Sequence, residues 1–155
     1  MIDVNQFRQE VVRPVITALG LYSRAAENLL VGTALQESGL KYLRQLNGPA
    51  IGVLQMENPT HDDIWANYLT QRHGLATLVR GFQLSYWEDV PAAQMAGNMY
   101  YAVAMGRIHY LRVREALPKA DNAAEMARYW KKYYNTLLGR GTVEGALPHF
   151  QMACQ

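Results

Sequence analysis

From Tyr42 to Met56 the chain abandons the apolar spacing that it keeps almost everywhere else, and this interruption limits the folds open to it. On either side, apolar residues return every three or four positions, the period of a helix that buries one face. Val4, Phe7, Val11, Val15 and Leu19 predict a first helix behind an Asp3 cap, with Pro14 as a kink and Gly20 as a stop. A second helix starts after Ser23, carries Leu29, Leu30, Thr33 and Ala34, and ends near Gly39 with Glu37 in its last turn. Inside the interruption, Asn47-Gly48 separates "KYLRQL" from "AIGVLQM", as in a small hairpin or tight loop, and Pro49 argues against a long ladder.

Helix is expected again from Thr60, with Asp63 three residues on completing a capping box, Ile64, Trp65, Tyr68 and Leu69 facing inward, and His73-Gly74 ending it. Leu75, Leu78, Val79, Phe82 and Tyr86 mark a further helix. Pro91 opens a long one through Met95, Met99, Val103 and Tyr110 to Pro118. Asn122 with Glu125 caps a last one, "AAEMARYWKKYYNT", before the glycines of "LLGRGTVEG". No repeat or linker divides the 155 residues, so the expectation is a mainly α fold, a single domain over 1–155 with one loop or β-hairpin excursion.

Composition narrows the partners. A net charge of +2, with Lys and Arg scattered, gives no reason to expect nucleic acid. No eighteen uncharged apolar residues run together, so no membrane insertion is expected. Cys154 is the single cysteine, and His61, His73, His109 and His149 lack ligand spacing, so neither a disulfide nor a metal or other cofactor is expected.

Glu37 is the residue that asks for chemistry. A carboxyl in the last turn of an apolar helix meets desolvation and the negative end of the helix dipole, and both disfavour its anion. An acid still protonated near neutral pH can hand a proton to the leaving oxygen of a glycoside. Taken alone, the same residue also reads as a solvated helix-end carboxylate.

The wider stretch resembles the lytic transglycosylases, lysozyme-like enzymes that cut the glycan strands of bacterial peptidoglycan. That family has a Glu-Ser pair at a helix end, then a Gly-Leu-Met-Gln element, then a Pro-x-Thr-like helix start. Here these are Glu37-Ser38, Gly52-Val53-Leu54-Gln55 with the glutamine eighteen residues after the acid, and Pro59-Thr60. A later Tyr-Asn pair matches Tyr134-Asn135, although "WKKYYNTLLGRG" departs from the small residues and early glycine of the family, and Tyr133 is open to the same role. The resemblance implies a lysozyme-like helical domain. It makes Glu37 the sole catalytic acid and base, cleaving the MurNAc-GlcNAc bond and closing an anhydro ring on the muramic acid. Ser38 would orient the acid or touch sugar, Gln55 would hydrogen-bond substrate, and Tyr134, with Asn135 beside it, would position the acid. Gly52 would let backbone approach the glycan or simply form a bulge.

Tyr42 is a candidate to line a sugar groove, whereas Trp65, Tyr86 and Trp130 are expected to pack, and Lys131 and Lys132 to form a solvated face. A hydrolytic muramidase would want a second carboxylate, for which Glu57, Asp62 and Asp63 are the nearby acids. "MIDVNQFRQEVVRPV" does not read as a signal peptide. The expectation is therefore a chain made in the cytoplasm and acting at the bacterial cell wall or periplasm, as a virion component among other virion proteins or after release through a holin. A non-catalytic virion or secretion-apparatus protein of the same fold is the reading from a different class.

Overall fold

The computed structural model describes residues 1–135 and 138–155, and it is mainly helical. The first helix begins as expected, with Asp3 Oδ1 accepting from the Gln6 amide at 2.9 Å. It runs as α1 (Val4–Gln6), a π-widened segment (Phe7–Val12) and α2 (Arg13–Ala18). The expected kink at Pro14 thus takes the form of a widened turn before it. This is a physical accommodation, because proline lacks an N–H and its ring crowds the carbonyl four residues back.

α3 (Arg24–Glu37) is the central helix. Ser23 Oγ caps it by accepting from the Ala26 amide at 3.0 Å. Beyond Glu27 the helix carries no charge until its last residue, and Ala26 through Leu35 are buried on every side. Glu27 is itself fully buried, yet it is balanced by Arg8 at 3.1 Å, Arg13 at 2.7 Å and Arg24 at 3.8 Å. Arg8 also donates to Asn28 Oδ1 at 2.6 Å and to the Ala153 carbonyl at 2.5 Å, so the two ends of the chain meet at this cluster.

The excursion that follows is small. Arg44 bridges Ile51, and Ile51 bridges Met56. Ile51 and Met56 exchange both backbone hydrogen bonds at 3.0 Å, which makes Gly52–Gln55 a four-residue turn beyond the Asn47-Gly48 turn.

The next boundaries differ from expectation. α4 (Asn58–Asn67) starts behind Glu57 with Pro59 in its first turn, so Thr60 is not its cap. Asp63 instead accepts from Asn67 at 2.7 Å and pairs with Arg112 at 2.5 Å. The helix stops at Asn67 because the chain turns at Tyr68, which brings Leu69 fully inside. His73-Gly74 therefore opens α5 (His73–Arg80) rather than closing α4. Phe82 and Tyr86 lie beyond α5, and Tyr86 is 86 % exposed, contrary to its expected packing role.

The long helix expected from Pro91 is two pieces. A 3-10 segment (Pro91–Ala96) precedes α6 (Met99–Leu111), whose Asn98 Oδ1 accepts from the Tyr101 amide at 3.1 Å. α6 ends at Leu111, short of Pro118. α7 (Ala123–Trp130) has the expected Asn122 cap and passes into a π-helical segment, Lys131–Asn135. The expected end of that helix at Thr136 lies outside the described residues. A last helix, α8 (Val143–Ala153), was not expected; it packs on α3 and α7, with Phe150 pressed against Gly32 so closely that any side chain there would strike the ring. Among the described residues, no helix is long and apolar enough to cross a membrane.

Candidate functional site

Burial from Ala26 to Leu35 leaves only the two ends of α3 to meet solvent, and the C-terminal end carries Glu37. That end forms one wall of a groove of about 570 Å³. Gln36 and Glu37 come from the helix, Gln45 to Ala50 from the first turn of the excursion, Gln55 and Glu57 from its end. Trp130, Tyr134 and Asn135 with Leu138 to Gly141 close the opposite side.

Within this groove Glu37 is half-buried. Its Oε1 accepts from Trp130 Nε1 at 2.8 Å. No donor among the described residues reaches Oε2, which remains open to solvent. Burial lifts the carboxyl from its ordinary range to about 7, against the smaller, opposing effect of the Trp130 hydrogen bond. At neutral pH the group is thus divided between acid and anion, able both to give and to take a proton.

Trp130 is the groove residue that helical spacing conceals. It is fully buried, as a packing residue should be, yet its indole N–H is spent on the acid. The glycines downstream supply a signal in retrospect, since a Cβ on Gly141 would stand 2.5 Å from the Trp130 ring.

Ser38 and Tyr134 do related work, and neither touches Glu37. The buried Ser38 hydroxyl donates to the Val53 carbonyl at 2.7 Å and accepts from the Leu40 amide at 3.1 Å. It faces the excursion rather than the groove, which corrects the expectation of a sugar contact. Tyr134 OH donates to the Leu54 carbonyl at 2.7 Å. Two consecutive carbonyls, those of Val53 and Leu54, are therefore each held by a hydroxyl, and the next residue is Gln55. Tyr134 positions the glutamine turn instead of holding the acid, although burial and then the nearby Glu37 charge push its phenol well above the ordinary range. Its ring stands edge-on to His109 at 4.9 Å. Burial, helped by Arg112, depresses that imidazole to about 4. Tyr133 is bound elsewhere, to Glu115, and does not line the groove.

Gln55 has φ of +48°, a left-handed conformation unusual for a side-chain-bearing residue. Its Nε2 donates to the Gly52 carbonyl at 2.8 Å, and no partner among the described residues engages Oε1. The amide oxygen is therefore free to accept from a ligand in the groove. Gly52 is required for a different reason than approach to a glycan. It is buried with φ of +79°, and a Cβ there would lie 2.5 Å from the Met95 carbonyl oxygen.

Asn135 lines the groove and accepts from Lys131 Nζ at 2.7 Å, while the same ammonium donates to the Gly139 carbonyl at 2.8 Å. Lys131 is thus a brace for the turn after the π segment and not part of a solvated face. Tyr42 is 45 % exposed on the excursion and does not line the groove. Of the three nearby acids, only Glu57 reaches it; Asp62 is bonded to His61 and Asp63 to Arg112.

The assembled site is a polar groove with one carboxyl of raised pKa, an amide presented by a strained turn, and a second, exposed carboxylate. No family model, no curated protein and no solved structure matches this chain.

Proposed function

We propose that the chain is a peptidoglycan lytic transglycosylase that cleaves the MurNAc-GlcNAc bond with Glu37 as its single acid and base. The observation that carries the reading is the state of Glu37: a half-buried carboxyl, drawn up to about 7, with one oxygen tied to Trp130 and the other open to the groove. In the first step Oε2 gives its proton to the glycosidic oxygen as the C1–O bond breaks. In the second, the resulting carboxylate takes the proton of the muramic acid's C6 hydroxyl as that oxygen attacks C1, closing the anhydro ring. Gln55 accepts a hydrogen bond from the bound sugar, and its strained turn is held for that purpose by Ser38 and Tyr134.

Glu57 favours a second reading. It lies in the same groove, and with a water between the two carboxyls the outcome would be hydrolysis by a muramidase. Mass spectrometry of a peptidoglycan digest separates the two, because the hydrolytic product is heavier by one water. Release of anhydromuropeptides that disappears in Glu37→Gln supports the transglycosylase. Full activity in that variant, or no release from the wild type, would end the proposal.

A further inference from the structure

One turn along α4 from the groove lies a second cavity of about 440 Å³, between α4 and α5. Glu57 borders the first and His61 the second, so about 6 Å of helix rise separates them. The hydrogen positions in its floor follow from donor counting. The Tyr101 oxygen receives Trp65 Nε1 at 2.9 Å and Gln83 Nε2 at 3.1 Å, which fills both lone pairs. Its own proton therefore goes to His61 Nε2 at 2.6 Å, and the His61 proton resides on Nδ1, donated to Asp62 Oδ1 at 2.8 Å. His61 is neutral, and burial depresses its pKa more than Asp62 restores it. Asp62 is anchored by one oxygen; the other has no partner among the described residues, and the side chain is 72 % exposed.

Across the cavity stands Arg80, from α5. Its guanidinium lies 5.0 Å over the Trp65 ring and has no carboxylate within ion-pair distance among the described residues. The cavity thus holds one anchored anion and one cation on separate helices, with an aromatic shelf beneath the cation. Its volume suits a short segment of peptide.

We infer that this cavity binds a zwitterionic peptide, the carboxylate on Arg80 and an ammonium group on Asp62. On the peptidoglycan reading above, from which the inference takes the ligand's identity, this is the stem peptide that branches from the glycan. That peptide carries carboxylates and, before cross-linking, the free amine of its diamino acid.

The test is titration of the intact protein with N-acetyl-L-Ala-γ-D-Glu-meso-diaminopimelate, whose one free amine is that of the diamino acid, followed at the Trp65 indole N–H by NMR. Binding is expected to weaken about tenfold or more in Arg80→Gln, in Asp62→Asn and with the peptide amine acetylated, the loss of one charge-assisted contact in each case. Glu37→Gln should bind the tripeptide unchanged. Arg80 is exposed, so its replacement leaves folding intact. No indole shift at millimolar peptide, or equal affinity in Arg80→Gln, overturns the inference. If that happens while the wild type still releases anhydromuropeptides and Glu37→Gln does not, the groove reading stands alone. Charge-dependent tripeptide binding by a protein whose Glu37→Gln form still cuts glycan keeps the cavity's chemistry and removes the proposed mechanism.

Discussion

Replacing Glu37 by glutamine should make the protein more stable at neutral pH, by an amount that depends on pH in a defined way. The folded carboxyl is lifted to about 7 from an ordinary value of 4.5. An acid whose folded pKa is raised binds its proton more tightly in the native state, so the native state loses ground as pH rises from the unfolded value through the folded one. The lift corresponds to about 3 kcal/mol, absent below pH 4.5 and fully developed above 7. Glutamine keeps an oxygen for the Trp130 N–H and has no charge to desolvate. Urea unfolding of both proteins at intervals from pH 4 to 8 gives the difference directly. His61 and His109, whose folded pKa values are lowered, contribute stability that grows as pH rises, and they cancel in this difference because both proteins contain them. The variant should equal the wild type near pH 4 and exceed it by about 3 kcal/mol at pH 8. Parallel curves across the whole range would refute the argument that the groove withholds charge from Glu37.

Trp130→Phe removes the one donor to Glu37 and should move its titration to still higher pH, as read by carboxyl carbon NMR; an unchanged midpoint would sever Trp130 from the acid. Glu27→Gln leaves Arg8 buried without its carboxylate and should destabilise by about 3–5 kcal/mol in denaturant unfolding. Gly52→Ala forces both a strained φ and a clash with Met95, so a loss above about 1 kcal/mol is expected, measured the same way. Tyr134→Phe frees the Leu54 carbonyl at a cost of about 1 kcal/mol in denaturant unfolding, and under the proposed function it should raise KM while leaving the Glu37 titration in place.

Where structure is decided locally, the sequence was readable. Asp3, Ser23 and Asn122 cap their helices because a short polar side chain satisfies an adjacent amide without help from elsewhere. The Glu-Ser pair, the Gln55 turn and Tyr134-Asn135 do converge on one region. Their individual contacts were hidden, since the direction of a hydroxyl depends on partners far along the chain: Ser38 finds Val53, and Tyr134 finds Leu54. α8 is not legible in the sequence because Gly145 and Pro148 weaken its local signal, and what holds it is packing on α3 and α7. α4 shifted for a similar reason, the burial of Leu69 outweighing a capping box that looked complete in sequence. The spacing of Trp130 reveals its burial but not its donor role, for one indole serves both ends.

The position of α8 bears on when this protein can first work. The helix that ends in Glu37 relies on Phe150 to cover Gly32, more than a hundred residues downstream. Contacts so distant in sequence form late and make folding slow relative to a local helical hairpin. During synthesis the helix that carries Glu37 emerges ahead of α8, with one flank bare until α8 has left the ribosome. Assembly of the groove is therefore coupled to completion of the core, and a nascent chain holding Glu37 and Gln55 would still lack the support that fixes them in place.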